Sequence, residues 1–403
     1  MRVTVAGHSV AEVECVSDWA THITVESADH GAAAKAFVAL PYELYRHDPL
    51  WVPPLRFSER RRWSPQHNPA LADRTVRRFV ALRKGVVAGR IAAILDSAFA
   101  TRWENGAACF GFFESINDRA VARALFRAAE RTARAWGATR LVGPINLTTH
   151  DETGFLVEGF DSSPMVQSPY NPRWYPELVR ATGYEPYREY SSYLRTPAAE
   201  PGDAVRRLVR AAATGHGFAG HVRIRAFDPA QWDRDVRIFC ELYNASFAGV
   251  WGFVPISWEE FAKRAEEFRP FLIPRLALVA ELGGEPVGFS LTLPDANVAL
   301  RAAGGRLWPF GWLRIARAIP RIKQGRFILL GVRPGRTGCG IAALLADHTR
   351  EAVRDLGWKA VELSLVQGAN KRVRHVIDAF GCPHAKTYRL YLRSLDQKEG
   401  TNA

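Results

Sequence analysis

The residues whose types and spacing point most directly to chemistry lie between Leu329 and Ala342, in LLGVRPGRTGCGIA. An apolar run passes straight into a glycine-rich turn, and a helical pattern begins at once. Such a turn presents successive backbone N–H groups at a helix N-terminus, where partial positive charge favours an anion. Gly338 and Gly340 have no side chain to hold a phosphate off the backbone. The competing reading is a plain strand-turn-helix corner. Cys339, inside the turn, reads as a small loop residue, because no histidine stands at a spacing that suggests thiolate chemistry.

Other residues suit proton transfer or substrate contact. Glu362 and Ser364 share one face of a strand expected to be covered on both sides. A carboxylate there needs partners. It acts either as a general base for an amine or as the structural partner of an arginine. Tyr388 and Tyr391 alternate with Arg389 on the last strand, and read as packing residues or as a phenol aimed at a reacting group. His375 reads as a helix-surface histidine. Asn146, His150, Asp151 and Glu152 form a polar cluster suited to an ammonium group or, alternatively, a solvated loop. Trp251 and Phe253 in WGFVP, with Asn244 upstream, are substrate contacts or core. Within residues 305–327, Trp308, Phe310 and Trp312 mix with Arg314, Arg317, Arg321 and Lys323. That mixture suits a membrane interface, a lid over an acyl chain, or a helix packed on a neighbouring domain.

The elements that must position these residues repeat. In the first half a strand, HITVES, and a helix over 32–46 precede two strands, FVALRKG and VVAGRIAAILD, with Gly85 between them. ACFGFFE is a further strand. Asn117 and Asp118 then offer an N-cap for a helix over 119–136, and TRLVGPI follows as a buried strand. A helix over 174–182 and a strand over 191–194 close the half, and PAAEPG is the linker. The second half runs strand VRIRAF, helices over 228–249 and 258–268, hairpin LALVAEL/EPVGFSLTL, the insertion, strand RFILLGV, helix 341–356, strand AVELSLV, helix 371–380 and strand KTYRLYL. Two copies of one α/β plan imply a tandem pseudo-repeat.

Val332-x-Pro334 followed by Gly338-x-Gly340-Ile341-Ala342 resembles motif A of the GNAT (GCN5-related N-acyltransferase) superfamily, whose loop binds the pyrophosphate of acyl-CoA. The chain departs from that pattern at Thr337, where the family usually has Arg or Gln; Arg336 is adjacent. The resemblance implies that backbone groups near Leu330 to Val332 orient the pantetheine, and that Asn370 faces the pantetheine or nucleotide. The family's frequent acid tyrosine aligns with Ile377, so that role falls elsewhere. FFESIND, GPINLTTHDETGFLVEGFD, YNPRWYPELV, WGFVP and KTYRLY resemble the two-domain GNAT proteins that include bacterial ceramide synthase. The resemblance implies tandem GNAT-like domains, each a mixed, mostly antiparallel sheet flanked by helices. Residues 1–197 are expected to form a degenerate domain with an acceptor-side role, and 198–403 the catalytic domain. The implied reaction moves an acyl group from acyl-CoA or acetyl-CoA to an amine acceptor, which in this family is a long-chain base.

Composition bounds these readings. A chain of 403 residues is long enough for two domains. No apolar run approaches the ~20 residues of a spanning helix, and the N-terminus lacks a signal-peptide pattern. The expected location is therefore cytoplasmic, with a peripheral place on the inner face of the membrane as an extension. The cysteines Cys15, Cys109, Cys240, Cys339 and Cys382 are widely spaced, which argues against a disulfide framework and a metal site. The net charge of +13 suits CoA, anionic lipid or tRNA. The tRNA option belongs to a rival reading, an aminoacyl-tRNA-dependent transferase of GNAT fold; a further rival is a non-catalytic binding protein.

Overall fold

Local signals build the same succession of elements in each half. The computed structural model describes residues 22–197, 199–214, 221–335 and 340–396. Cys15 and the turn residues Arg336, Thr337, Gly338 and Cys339 lie outside the described residues. The first half comprises β1 (Ile23–Ser27), α1 (Gly31–Leu44), α2 (Arg56–Arg62), β2 (Arg74–Arg83), β3 (Val86–Asp96), α3 (Ser97–Arg102), β4 (Ala107–Ser115), α4 (Arg119–Ala135), β5 (Arg140–Gly143), β6 (Phe155–Glu158), α5 (Tyr175–Ala181) and β7 (Glu185–Arg195). The second comprises α6 (Asp203–Ala213), β8 (Val222–Ala226), α7 (Trp232–Phe247), α8 (Trp258–Phe268), β9 (Ala277–Leu282), β10 (Glu285–Pro294), α9 (Asn297–Ala303), α10 (Gly311–Ala318), β11 (Gln324–Val332), α11 (Ile341–Asp355), β12 (Ala360–Gln367), α12 (Lys371–Ala379) and β13 (His384–Ser394).

The helix α4 shows how these elements arise. Asp118 caps it, its Oδ1 accepting from the Ala120 and Val121 N–H groups at 2.8 and 3.3 Å. Val121, Leu125, Phe126 and Ala129 are buried against the sheet, while Arg123, Arg127 and Arg131 stay exposed. Each fully buried large apolar side chain contributes about 1.5–3 kcal/mol, which outweighs the loss of any single surface contact. The sequence reading missed α2, α3, β6 and α9, each seven residues or fewer, missed α6 although it is amphipathic over eleven residues, and placed only the end of β7.

The strands form one mixed sheet in the order β1-β2-β3-β4-β5-β13-β7-β12-β11-β10-β9-β8, with β6 also paired to β13. Neighbours are antiparallel except β4 with β5 and β11 with β12, which are parallel. The centre is crossed over. The first half's last strand, β7, pairs with β12 of the second half. The chain's last strand, β13, pairs with β5 and β6 of the first. The two then pair with each other from Glu185↔Leu392 to Tyr193↔His384. Each half is thus completed by a strand from the far end of the other.

Either half expressed alone would leave the edge of β5 or β12 unpaired and apolar. Residues 22–197 and 198–396 should each be aggregated or non-cooperative on thermal unfolding by circular dichroism, and should yield one cooperative transition when co-expressed. Two independently stable halves would contradict this account of the centre.

Candidate active site

The parallel strands β11 and β12 pair only from Gln324↔Ala360 to Phe327↔Leu363. Beyond that they diverge. β12 bulges between Leu363 and Val366, where it remains bonded to β7, and β11 continues to Val332, bonded on its other side to β10. Among the described residues, therefore, no strand lies on the β12-facing backbone edge of Ile328–Val332. Gly331 lets α7 lie close to this strand: a Cβ there would come within 2.8 Å of Ser246 Cβ. The corresponding junction in the first half is closed. β4 and β5 pair only through Cys109↔Val142, but Ile145 N–H then donates to the Phe110 carbonyl at 2.8 Å. The Asn146 side chain accepts from Phe112 N–H at 2.8 Å, and a Cβ on Gly111 would lie 2.1 Å from the Ile145 oxygen. The chain itself occupies that gap.

The open junction faces a cavity of about 290 Å³. Its far part lies between α7, α8 and the sheet, and is lined by Phe227, Trp232, Phe239, Phe268, Ala277 and Leu291. Phe239, Tyr243 and Phe247 recur four residues apart on α7, so one helical face supplies three rings. The part nearer the junction is polar, with Thr149, His150, Asp151, Arg264, Arg326, Ser364 and Gln367 among its lining residues.

Both halves build the wall made by residues 248–256. Arg102 donates to the Ala248 carbonyl at 2.6 Å, Trp103 Nε1 to Phe253 at 2.7 Å, Thr149 Oγ1 to Gly252 at 2.6 Å and Gln367 to Trp251 at 2.7 Å. Trp251 Nε1 donates to Glu104 at 3.0 Å, and the Arg188 guanidinium lies 4.2 Å from the Trp251 ring centre. Trp251 and Phe253 line the cavity, as the sequence reading allowed. Asn244 does not: its amide grips the backbone of Ile256 through both oxygen and nitrogen, at 3.0 and 3.1 Å.

His150 comes from the first half and meets Tyr243 of the second, Nδ1 to hydroxyl, at 2.9 Å. Its ring stands edge-on to Phe253, with centroids 5.5 Å apart. Nε2 is buried without a hydrogen-bond partner of normal geometry, with the Val254 carbonyl nearby. Burial and then the Arg264 charge pull the pKa from 6.5 to about 4, against the opposing charge of Asp151. The imidazole is thus neutral at physiological pH. Asp151 is held by Arg264 Nη1 at 2.8 Å, and Arg264 also binds Glu260 at 2.9 Å. Burial pushes the Asp151 carboxyl up, but the Arg264 contact more than offsets this and leaves its pKa below the ordinary value. The polar cluster expected around residue 150 is split: His150 and Asp151 line the cavity, whereas Asn146 turns to β4 and bonds Glu152 at 3.1 Å.

At the cavity floor, Arg326 joins a balanced set of buried charges whose other members, Asp295, Glu362 and Lys386, lie beneath it. Ser364 Oγ donates to Glu362 at 3.1 Å and receives Arg326 Nε at 2.7 Å. Lys386 donates to the Ser162 and Ser163 carbonyls at 2.9 and 3.0 Å. Of the predicted catalytic residues, Ser364 lines the cavity, while Glu362 and Tyr388 are packed behind it, both within reach of Ser168. Tyr391 is fully buried and His375 is exposed. Of the predicted donor-binding residues, Leu330 and Val332 are on the diverging strand. Gly340, at φ 68°, stands at the N-cap of α11, and Ile341 and Ala342 open that helix. Thr337, Gly338 and Cys339 are outside the described residues. Asn370 caps α12, its Oδ1 accepting from Val373 N–H at 3.2 Å. Trp308, Phe310 and Trp312 are exposed and do not line the cavity. Tyr243, Arg264 and the α7 ring stripe were not singled out from sequence, although the recurrence of rings every four residues was visible.

The depressed His150 pKa has a consequence for stability. Between pH 6.5 and about 4 the unfolded chain binds a proton that the folded chain refuses. The stability attached to this group is therefore present above pH 6.5 and lost as pH falls through the interval. His150→Gln should flatten the fall by up to about 3 kcal/mol, read from urea unfolding at a series of pH values. Parallel slopes in wild type and variant would contradict the burial account.

No family model matches the chain. It is similar to a bacterial ceramide synthase of Caulobacter vibrioides, 33% identical over 375 residues that cover 90% of this chain and 95% of that protein. Protein YghO of Escherichia coli is 29% identical over 368 residues, covering 90% and 93%. Among solved structures, a tandem GNAT protein from the clavulanic acid biosynthesis pathway superposes with a TM-score of 0.53 at 14% identity, covering 94% of this chain and all of that one. With a likeness to bacterial ceramide synthase that runs almost end to end, this chain is an acyltransferase of the bacterial ceramide synthase family, and its fold is that of tandem GNAT proteins.

Proposed function

We propose that the chain transfers a long acyl group from acyl-CoA to the amine of a long-chain base. The observation that carries this is the apolar cavity at the open β11–β12 junction. The free edge of β11, from Ile328 through Leu330 to Val332, suits the pantetheine amides, which can bond to it as an added strand. The start of α11 at Gly340, Ile341 and Ala342 suits the pyrophosphate. The donor presents a thioester carbon for attack by a neutral amine. The ring-lined space under α7 and α8 suits an alkyl chain, and the likeness to the Caulobacter ceramide synthase supports a long-chain base as acceptor.

Within this reading, neutral His150 takes the proton from the attacking nitrogen only in passing, at Nε2 or through the Tyr243 hydroxyl, and hands it to the CoA thiolate that leaves as the carbon–sulfur bond breaks. Arg264 keeps Asp151 ionised beside it, where a carboxylate attracts the incoming ammonium. Arg326 fixes Ser364 at the cavity wall. Glu362 is the structural member of the charge layer rather than the base, because it does not reach the cavity. Residues 1–197 supply the acceptor-side wall and residues 198–403 the donor site, a division supported by the chain filling its own β4–β5 junction. The apolar lining favours acyl-CoA of long chain over acetyl-CoA, and over an aminoacyl-tRNA donor.

The test is a donor series on the purified chain with a long-chain base as acceptor. Each further buried CH₂ contributes roughly 0.8 kcal/mol, so kcat/KM should climb several-fold per methylene until the cavity is full. Calorimetry should find one CoA per chain. His150→Gln should lower kcat by about 10²–10⁴, with the donor KM little changed. A preference for acetyl-CoA would refute the long-chain reading, and binding of charged tRNA in place of CoA would support the tRNA-dependent one.

A further inference from the structure

The segment between β10 and β11 presents a face that the acyl-transfer reading does not use. Trp308, Phe310 and Trp312 are 79%, 64% and 52% exposed. Such large rings, adjacent on the surface and turned away from the core, mark an interaction site. Trp308 and Phe310, with Arg56, Arg306 and Arg314, border a cleft of about 480 Å³. From Asn297 to Phe327 the sequence has no acidic residue. Arg306, Arg314, Arg317, Arg321 and Lys323 are all exposed. The first half extends the face: Gly305 accepts the Arg56 N–H at 3.0 Å, and the next residue, Phe57, is 41% exposed.

We infer that this face docks on an anionic lipid bilayer, with the rings at the headgroup level and the arginines on lipid phosphates. Charge decides between the occupants. A second copy docking through the same face would set the arginines of residues 305–327 against one another, with no carboxylate in that segment to separate them. An anionic bilayer is complementary to such a face, and each Lys or Arg near its surface adds to the attraction. Tryptophan prefers the membrane interface, where its ring is apolar and its N–H stays wet. The helix α10 is too short to cross a bilayer and can lie along its surface. Of the three uses that residues 305–327 suggested by sequence, the lid is the one that their orientation disfavours. A lid would turn its rings into the cavity, and these turn outward.

The position relative to the cavity gives the docking a purpose within the acyl-transfer reading. The segment leaves β10 just after Leu291 and Leu293 and rejoins β11 just before Ile328 and Leu329, all four of which line the cavity. A lipid substrate held in the bilayer would then meet the enzyme beside the strands that receive it. The docking itself does not depend on that reading, because it is measured without donor or acceptor.

The experiment is co-sedimentation of the full chain with vesicles of phosphatidylcholine alone and of equimolar phosphatidylcholine and phosphatidylglycerol. Wild type should bind the anionic vesicles at least about tenfold more tightly, and the difference should shrink as salt rises. W308S/F310S/W312S should lose at least tenfold in affinity for anionic vesicles with an unchanged Tm. R306E/R314E should lose the preference for anionic lipid. If the triple variant does not fold, quenching of wild-type tryptophan fluorescence by brominated anionic lipid, diminished in W308S, carries the same information. Equal binding to both vesicle types, no binding to either, or a wild-type dimer that the triple variant converts to monomer would overturn the proposal, the last by showing a second copy on this face.

Discussion

The pairing of β7 with β13 at the middle of the sheet is the constraint on which the rest of the molecule depends. Each strand belongs by chain order to one half and by hydrogen bonding to the other. The halves therefore cannot shift against each other without breaking a central ladder, and such ladders are the costliest part of a sheet to leave unpaired. That rigidity gives the contact between His150 and Tyr243 its meaning. The two side chains come from different halves, and a 2.9 Å contact persists only if the frame holding them is stiff. The loop over 248–256 makes the same point, since it is pinned by Arg102, Trp103 and Thr149 from the first half and by Gln367 from the second.

The buried charges at the cavity floor and beneath it follow from that crossing. Glu362 is on β12, Arg326 on β11 and Lys386 on β13, and Asp295 follows β10. Burial pulls Arg326 and Lys386 down from their ordinary pKa values, and the nearby carboxylates oppose it. Burial pushes Asp295 up, against its hydrogen bonds to Gln324, Val166 and Asn297. A buried charge set of this kind is weak as a source of net stability, because desolvation consumes most of the attraction. Its effect is on register. Removing one member would strand an opposite charge, so strands that could otherwise slide are held in place directly beside the junction where they diverge.

The two halves show how one architecture gives a donor gap in one copy and not in the other. Both contain a parallel strand pair that separates after a few residues. In the first, Ile145 and Asn146 complete the hydrogen bonds that the separation exposes. In the second, nothing in the described chain does so along Ile328–Val332. A strand edge inside a protein seldom stays unbonded, and a ligand with amide groups is a natural partner for it. The difference arises from the path after β5: the chain folds back across β4 in the first half, whereas in the second the bulge at Ser364 and Leu365 carries β12 away.

By itself the sequence determined the elements and their repetition. The Asp118 cap, the glycine turn at Gly85, the period of α4 and the hairpin at Gly283 and Gly284 are local signals, and the structure has each of them where the pattern placed it. The resemblance carried by the Val332–Ala342 motif led to the tandem GNAT fold and to the diverging strand. Tertiary structure decided what local signals do not encode. Strand order is a choice among long-range partners, and nothing in KTYRLYL says that it will lie against TRLVG rather than beside its own half. Glu362, Asn244 and Tyr388 looked suited to chemistry by residue type, but only packing shows that Asn244 clamps a loop and that Glu362 and Tyr388 sit behind the cavity wall. His150 and Tyr243 are 93 residues apart. Their meeting, and the burial that keeps the imidazole neutral, exist only once both halves have folded around the same pair of central strands.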